Sequence, residues 1–133
     1  MKKLLIATLL VMATAAGAFA QSSQVKVIAL MNKASWCPVC QDHAMAFMKN
    51  IAPMVMKNPE VKMVIYDLSN EQTRTSSLPM LESAGIKQFA LENDATGRIY
   101  FIDARTKKLL STVSIAQSDK DIMRAYKEAL KKS

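Results

Sequence analysis

Two cysteines three positions apart, in Trp36-Cys37-Pro38-Val39-Cys40, constrain this chain more than any other feature, because they are its only cysteines. A proline at the first position of a helix gives up an N–H that would have no intrahelical partner, and its fixed φ already suits the helix. With Pro38 there, Cys37 becomes the N-cap and Cys40 falls on the first turn. A helix start presents unpaired N–H groups and a partial positive charge, and both favour a thiolate at Cys37. A free cysteine titrates near pH ~8.5, and Cys-X-X-Cys sites at helix starts reach roughly 3.5 to 7. Lowering the value to about 7 represents roughly 2 kcal/mol of preference for the charged form. Cys40, less exposed and protonated, stands close enough to attack a mixed disulfide formed at Cys37. The bland alternative is an inert bridge; closing so short a loop contributes only about 2 kcal/mol in the chain-entropy account. The redox reading requires the motif to lie between a strand and a helix.

The N-terminus places these thiols in a compartment. Met1-Lys2-Lys3 is followed by an apolar run from Leu4 to about Ala16, then Ala18-Phe19-Ala20 and the polar Gln21-Ser22-Ser23-Gln24. A charged start, a short apolar core and an Ala-x-Ala site describe a secretory signal peptide over residues 1–20. The run is shorter than the roughly 20 residues of a spanning helix, so an uncleaved anchor is the lesser alternative. Residues 21–133 then form one domain, since the length suits one core and is too short for two. Export, periplasmic or secreted, permits disulfides.

Of the 18 basic and 11 acidic residues in the full chain, the leader takes Lys2 and Lys3, leaving a net +5. The lysines are scattered and no basic run is interleaved with aromatics, which argues against a nucleic-acid partner.

Along the chain, Val25 to Met31 reads as a buried strand, and Asn32 to Ser35 as the loop leading to Trp36. A helix is expected from Pro38 to about Lys57, with Ala44, Phe47, Met48, Ile51, Ala52 and Val55 on its apolar face and Pro53 kinking or splitting it. Met45, Met48, Met54 and Met56 invite a metal reading, but core filling is the commoner use of methionine. Val61 to Asp67 is a second strand, completing a βαβ unit. Ser69 or Asn70 caps a helix from about Glu71, which Pro79 is expected to break unless it starts another short turn; Gly85 marks a stop, and Ile86 to Leu91 gives a further turn. Arg98 to Asp103 and Lys108 to Ile115 form a hairpin. Ser118 caps a last helix that buries Ile122, Tyr126, Ala129 and Leu130.

With Trp36-Cys37-Pro38-Val39-Cys40 between the first strand and first helix, and the order βαβ, helix, ββα, the chain resembles the thioredoxin superfamily. The resemblance implies an α/β fold with a central four-stranded mixed sheet flanked by helices. It implies thiol–disulfide exchange with Cys37 as nucleophile and Cys40 as resolver, forming a disulfide with each other in the oxidised state. Trp36, Thr96 and Gly97 would border the docked substrate. Protein thiols and disulfides, together with an unidentified recycling partner, would be its partners; no organic cofactor is needed, and a monomer is expected. Two family positions differ: Met31 stands where a buried aspartate is usual, and Ala95-Thr96-Gly97 precede the third strand where a proline is usual.

These departures motivate a second reading, a periplasmic chaperone for copper or zinc. Cys37, Cys40 and His43, the only histidine, are evenly spaced donors for a soft metal. Three ligands are fewer than a closed structural zinc site takes, and an exposed helical histidine is the commoner case. A haem attachment is excluded, because Gln41 follows Cys40. Lys33 is either a partner for the Cys37 thiolate or a solvated loop lysine. A third reading is a redox-inert interaction domain of the same fold.

Overall fold

Six consecutive buried residues open β1 (Val27–Lys33), as a strand covered on both faces requires. The computed structural model describes residues 24–133, and the expected leader, residues 1–20, lies outside them. The other strands are β2 (Val61–Asp67), β3 (Arg98–Asp103) and β4 (Leu109–Ser114), and the sheet runs β2-β1-β3-β4. β1 is parallel to β2, with Val27 opposite Val61 and Lys33 opposite Asp67. It is antiparallel to β3, with Asn32 opposite Arg98. β3 and β4 form the antiparallel hairpin. The mixed four-stranded sheet expected from the sequence is therefore present, in βαβ then ββα order.

Alternation along β1 sends side chains into two cores. Val27, Ala29 and Met31 face one cluster with Phe47, Ile51, Phe101, Ile122 and Tyr126. Ile28 and Leu30 face the other, with Tyr66, Leu81, Ile86, Ile102 and both cysteines. The first cluster is covered by α1 (Pro38–Asn50), α2 (Ala52–Lys57) and α5 (Asp119–Lys132), and the second by α3 (Glu71–Ser83) and α4 (Lys87–Glu92).

Pro53 does split the first helix: α1 ends at Asn50, Ile51 is the hinge, and α2 resumes with the proline in its first turn, where no N–H is needed. Asn70 caps α3 reciprocally, its side chain accepting the Thr73 N–H at 2.9 Å while the Thr73 hydroxyl accepts the Asn70 N–H at 3.2 Å. Pro79, expected to break this helix, lies inside it. Thr75 and Pro79 are both exposed, so the carbonyl that the proline leaves unpaired belongs to the solvent side of α3. α3 stops at Gly85 (φ +71), where the Gly85 and Ile86 N–H groups donate to Glu82 and Leu81 in a left-handed cap. Ser118 accepts the Asp121 N–H at the start of α5.

The methionines depart from expectation. Met45, Met48, Met54 and Met56 are all exposed, Met45 at 84%, and they do not fill the core. Phe47, Ile51, Ala52 and Val55 do. One residue past Phe47 is about 100° around the helix, which carries Met48 out of the arc that the sheet covers.

Candidate functional site

The cysteines sit where the C-terminal end of β1 turns into α1. The turn closes through the Cys37 N–H, which donates to the Ala34 carbonyl at 3.2 Å. Cys37 is the N-cap of α1, with extended backbone (φ −80, ψ 117), and Pro38 opens the helix. Its Sγ accepts the Cys40 N–H at 3.3 Å, a cap bond of the kind that side-chain oxygens usually make. Both residues are free cysteines, 2% and 7% exposed.

The loop between β1 and α1 is tied to the end of β2. Lys33 pairs with Asp67 at 3.1 Å, so it is neither a thiolate partner nor a free solvated lysine. The Ser35 N–H donates to Ser69 Oγ at 2.8 Å, and the Trp36 indole N–H donates to the Leu68 carbonyl at 3.3 Å. That last bond fixes the edge of an indole that is otherwise 59% exposed, directly beside the buried thiol. A cavity of about 220 Å³ opens at Cys40, between Lys33, Gln41, Ala44 and Ser69.

The segment before β3 closes the other side. Gly97, at φ +70, approaches so closely that a Cβ built on it would stand 3.5 Å from Cys37 Sγ. The Thr96 side chain is among the influences that lower Cys37. The segment carrying Thr96 and Gly97 therefore lies against Cys37 and Val39.

Burial pushes both thiols up. At Cys37 it is outweighed by hydrogen bonds from the Cys40 thiol, the Thr96 hydroxyl and the backbone N–H groups of Cys40 and Val39, and the group falls below the ordinary thiol value. At Cys40, burial is reinforced by the Cys37 sulfur, which holds the shared proton on Cys40 and repels a second charge. The backbone at Ala34 and Gly97 opposes this only in part, and Cys40 rises above the ordinary value. The two thiols are thus driven apart, Cys37 toward the charged form and Cys40 toward the protonated one.

Met31, at the position usual for a buried acid, packs in the first cluster, and no carboxylate is among the main influences on Cys40. His43 is half-buried on α1, and among the described residues Cys37, Cys40 and His43 do not form a group able to hold a metal ion. The two sulfurs are neighbours, but His43 lies a further helical step along α1, about 60° short of a full turn from Cys40, and does not join them. The metal-chaperone reading loses its ligand set.

Asn32 was missed by the sequence reading, which placed it in the loop. It lies inside β1, is 0% exposed, and its side-chain N–H groups donate to the carbonyls of Asn93 (2.6 Å) and Ala95 (3.3 Å). The available signal was a polar residue ending an apolar run immediately before the motif.

No protein-family model matches the chain. No curated protein matches it either. Among solved structures it is similar to the solution structure of a candidate protein disulfide isomerase from Bacteroides thetaiotaomicron, at 21% identity over 80% of this chain and 73% of that one, with a TM-score of 0.50. It is also similar to Trxlp from Edwardsiella tarda EIB202, at 10% identity over 77% and 84% of the two chains with a TM-score of 0.46. Thioredoxin from Wuchereria bancrofti matches at 15% identity over 81% and 84%, with a TM-score of 0.48. At such identities likeness bears on the fold alone. The sheet order, the flanking helices and the first of these neighbours together identify the fold of this chain as thioredoxin-like.

Proposed function

We propose that this protein is an exported thiol–disulfide oxidoreductase acting on protein thiols and disulfides. The observation that carries the reading is the capping position of Cys37, whose sulfur accepts the Cys40 N–H at 3.3 Å while Thr96 and the Cys40 thiol also bear on it. The Cys37 thiolate attacks one sulfur of a substrate disulfide, forming a mixed disulfide and releasing the other sulfur as a thiolate, which takes a proton from water. Cys40 then gives up its proton and attacks Cys37 Sγ, releasing the second substrate thiolate. The substrate gains two electrons, and the Cys37–Cys40 pair loses them as it becomes a disulfide. The reverse sequence delivers a disulfide to a substrate. No organic cofactor takes part.

Exposed Trp36 on one side and Thr96 with Gly97 on the other would flank the incoming disulfide. The leader expected over residues 1–20 would deliver the domain, residues 21–133, to the periplasm or the exterior, where a separate redox partner would reset the pair. No helix among the described residues is long and apolar enough to cross a membrane.

The test is turnover of a disulfide-bonded protein substrate by wild type and Cys37→Ser. The variant should lose essentially all exchange. Undiminished exchange would sink the reading, and a disulfide that survives ordinary reducing buffer in the wild type would favour the redox-inert interaction domain.

A further inference from the structure

We propose that Asn32 is the positioning residue of the cysteine pair, holding the Asn93–Gly97 segment so that Thr96 and Gly97 close over Cys37. The inference rests on the redox reading of the pair.

Asn32 holds this segment by three hydrogen bonds: its side chain donates to the carbonyls of Asn93 and Ala95, and its own carbonyl accepts the Gly97 N–H at 2.8 Å. Those bonds bracket Thr96 on both sides. The segment is fixed at its other boundaries as well. Asn93 donates to the Phe89 carbonyl of α4 at 2.9 Å, and the Gly97 carbonyl accepts from the Ile115 N–H at 3.0 Å. The main-chain bond to Gly97 does not depend on the side chain at 32, so the amide adds the two bonds that tie the Asn93 and Ala95 carbonyls to β1.

The choice of an amide at this position needs explaining. β1 is otherwise apolar through Met31, and Asn32 follows Leu30 on the face that holds the cysteines. An apolar side chain there would continue the pattern. Instead the site accepts an amide whose Oδ1 has no hydrogen-bond partner among the described residues, a feature that calls for a reason in a buried group. The two donors supply that reason, because only an amide NH2 in this place reaches two carbonyls at once. With both N–H groups directed at carbonyls, the orientation of the amide is determined.

The groups bearing on Cys37 are the Cys40 thiol and the Cys40 and Val39 N–H groups from α1, and the Thr96 hydroxyl from the segment. Lys33, the charge nearest in sequence on β1, is engaged by Asp67. Asn32 touches none of the reacting atoms and acts through Thr96 and Gly97.

The experiment is the pH profile of Cys37 alkylation by iodoacetamide in the reduced, full-length protein, for wild type, Asn32→Leu, Thr96→Val and the double variant. Asn32→Leu should raise the midpoint by roughly half a pH unit or more, because Thr96 no longer bonds the thiolate. The double variant should titrate with Thr96→Val, since the two residues act on one contact. A midpoint unmoved in Asn32→Leu, with Cys37 of the wild type still titrating low, overturns this inference and leaves the redox reading intact. A wild-type midpoint at the ordinary thiol value overturns the redox reading itself. Should Asn32→Leu not fold, Asn32→Ser, which cannot donate to both carbonyls, is read in the same way, and a midpoint at the wild-type value overturns the proposal.

Discussion

A methyl group placed on Gly97 would stand 2.7 Å from Cγ1 of Val39, inside the distance that real carbon atoms keep. Gly97 belongs to the segment before β3, and Val39 lies between the two cysteines. The strand side and the helix side of the site therefore meet at a point that leaves no room for a side chain.

Gly97→Ala should consequently be damaging on two counts. The backbone at φ +70 disfavours any side chain, and the methyl must displace Val39. Together these cost about 1–3 kcal/mol. Urea unfolding of the reduced protein measures the loss. Because the displaced residue sits between Cys37 and Cys40, the rate of Cys37 alkylation should change as well. A variant with wild-type stability would contradict the close contact.

Thr96→Val removes a hydroxyl from the Cys37 thiolate while keeping the shape of the side chain. A hydrogen bond to a charged group is worth about 1.5–3 kcal/mol, part of which is recovered from water. The reduced form loses that stabilisation and the disulfide does not. The reduction potential should therefore become more negative by about 10–30 mV, given that 30 mV corresponds to about 1.4 kcal/mol for two electrons. Equilibration in graded thiol–disulfide buffers, with Trp36 fluorescence as the probe, reads the shift.

The stability of the dithiol form should depend on pH with a predictable sign. Cys37 lies below its ordinary value in the folded protein, so folding favours its deprotonated form. Its contribution is fully present above the unfolded-chain value of about 8.5 and is lost as pH falls through the folded value. Cys40 is shifted upward. Its contribution is present below the unfolded value and fades as pH rises through the folded one. Between the folded Cys37 value and about pH 8.5, Cys37 dominates and stability should rise with pH. The disulfide form has neither thiol and should show no such slope. Denaturant melts of both redox forms across this range test the difference, and parallel profiles would remove the argument.

How much of this was legible in the sequence differs by kind of signal. The four strands and their order followed from apolar runs and turn residues, and the capping position of Cys37 followed from Pro38, because these are local rules with local causes. Three features were not local. Asn32 was placed in a loop because it is polar, and only the long-range bonds to Asn93 and Ala95 explain its presence in a strand. Pro79 was given a breaking role that its exposed side of α3 does not enforce. The exposed methionines of α1 and α2 were assigned to the core because composition cannot say how wide an arc of a helix a sheet will cover. At the site, the meeting of Thr96 and Gly97 with Cys37 was anticipated from resemblance, whereas the Lys33–Asp67 pair depends on the parallel register of β1 and β2.

The cover over Cys37 has one more consequence. Cys37 sits at the start of α1, but its cover belongs to a segment nearly sixty residues later, held to β1, α4 and Ile115 by a few hydrogen bonds. Local openings of a fold need far less free energy than global unfolding when few contacts hold the moving part. Were this segment to open locally, the helix, its dipole and the capped sulfur would stay in place. Reactivity at Cys37 would then be gated by the breathing of a short stretch of chain, and a bulky reagent would sense that gate more than a small one.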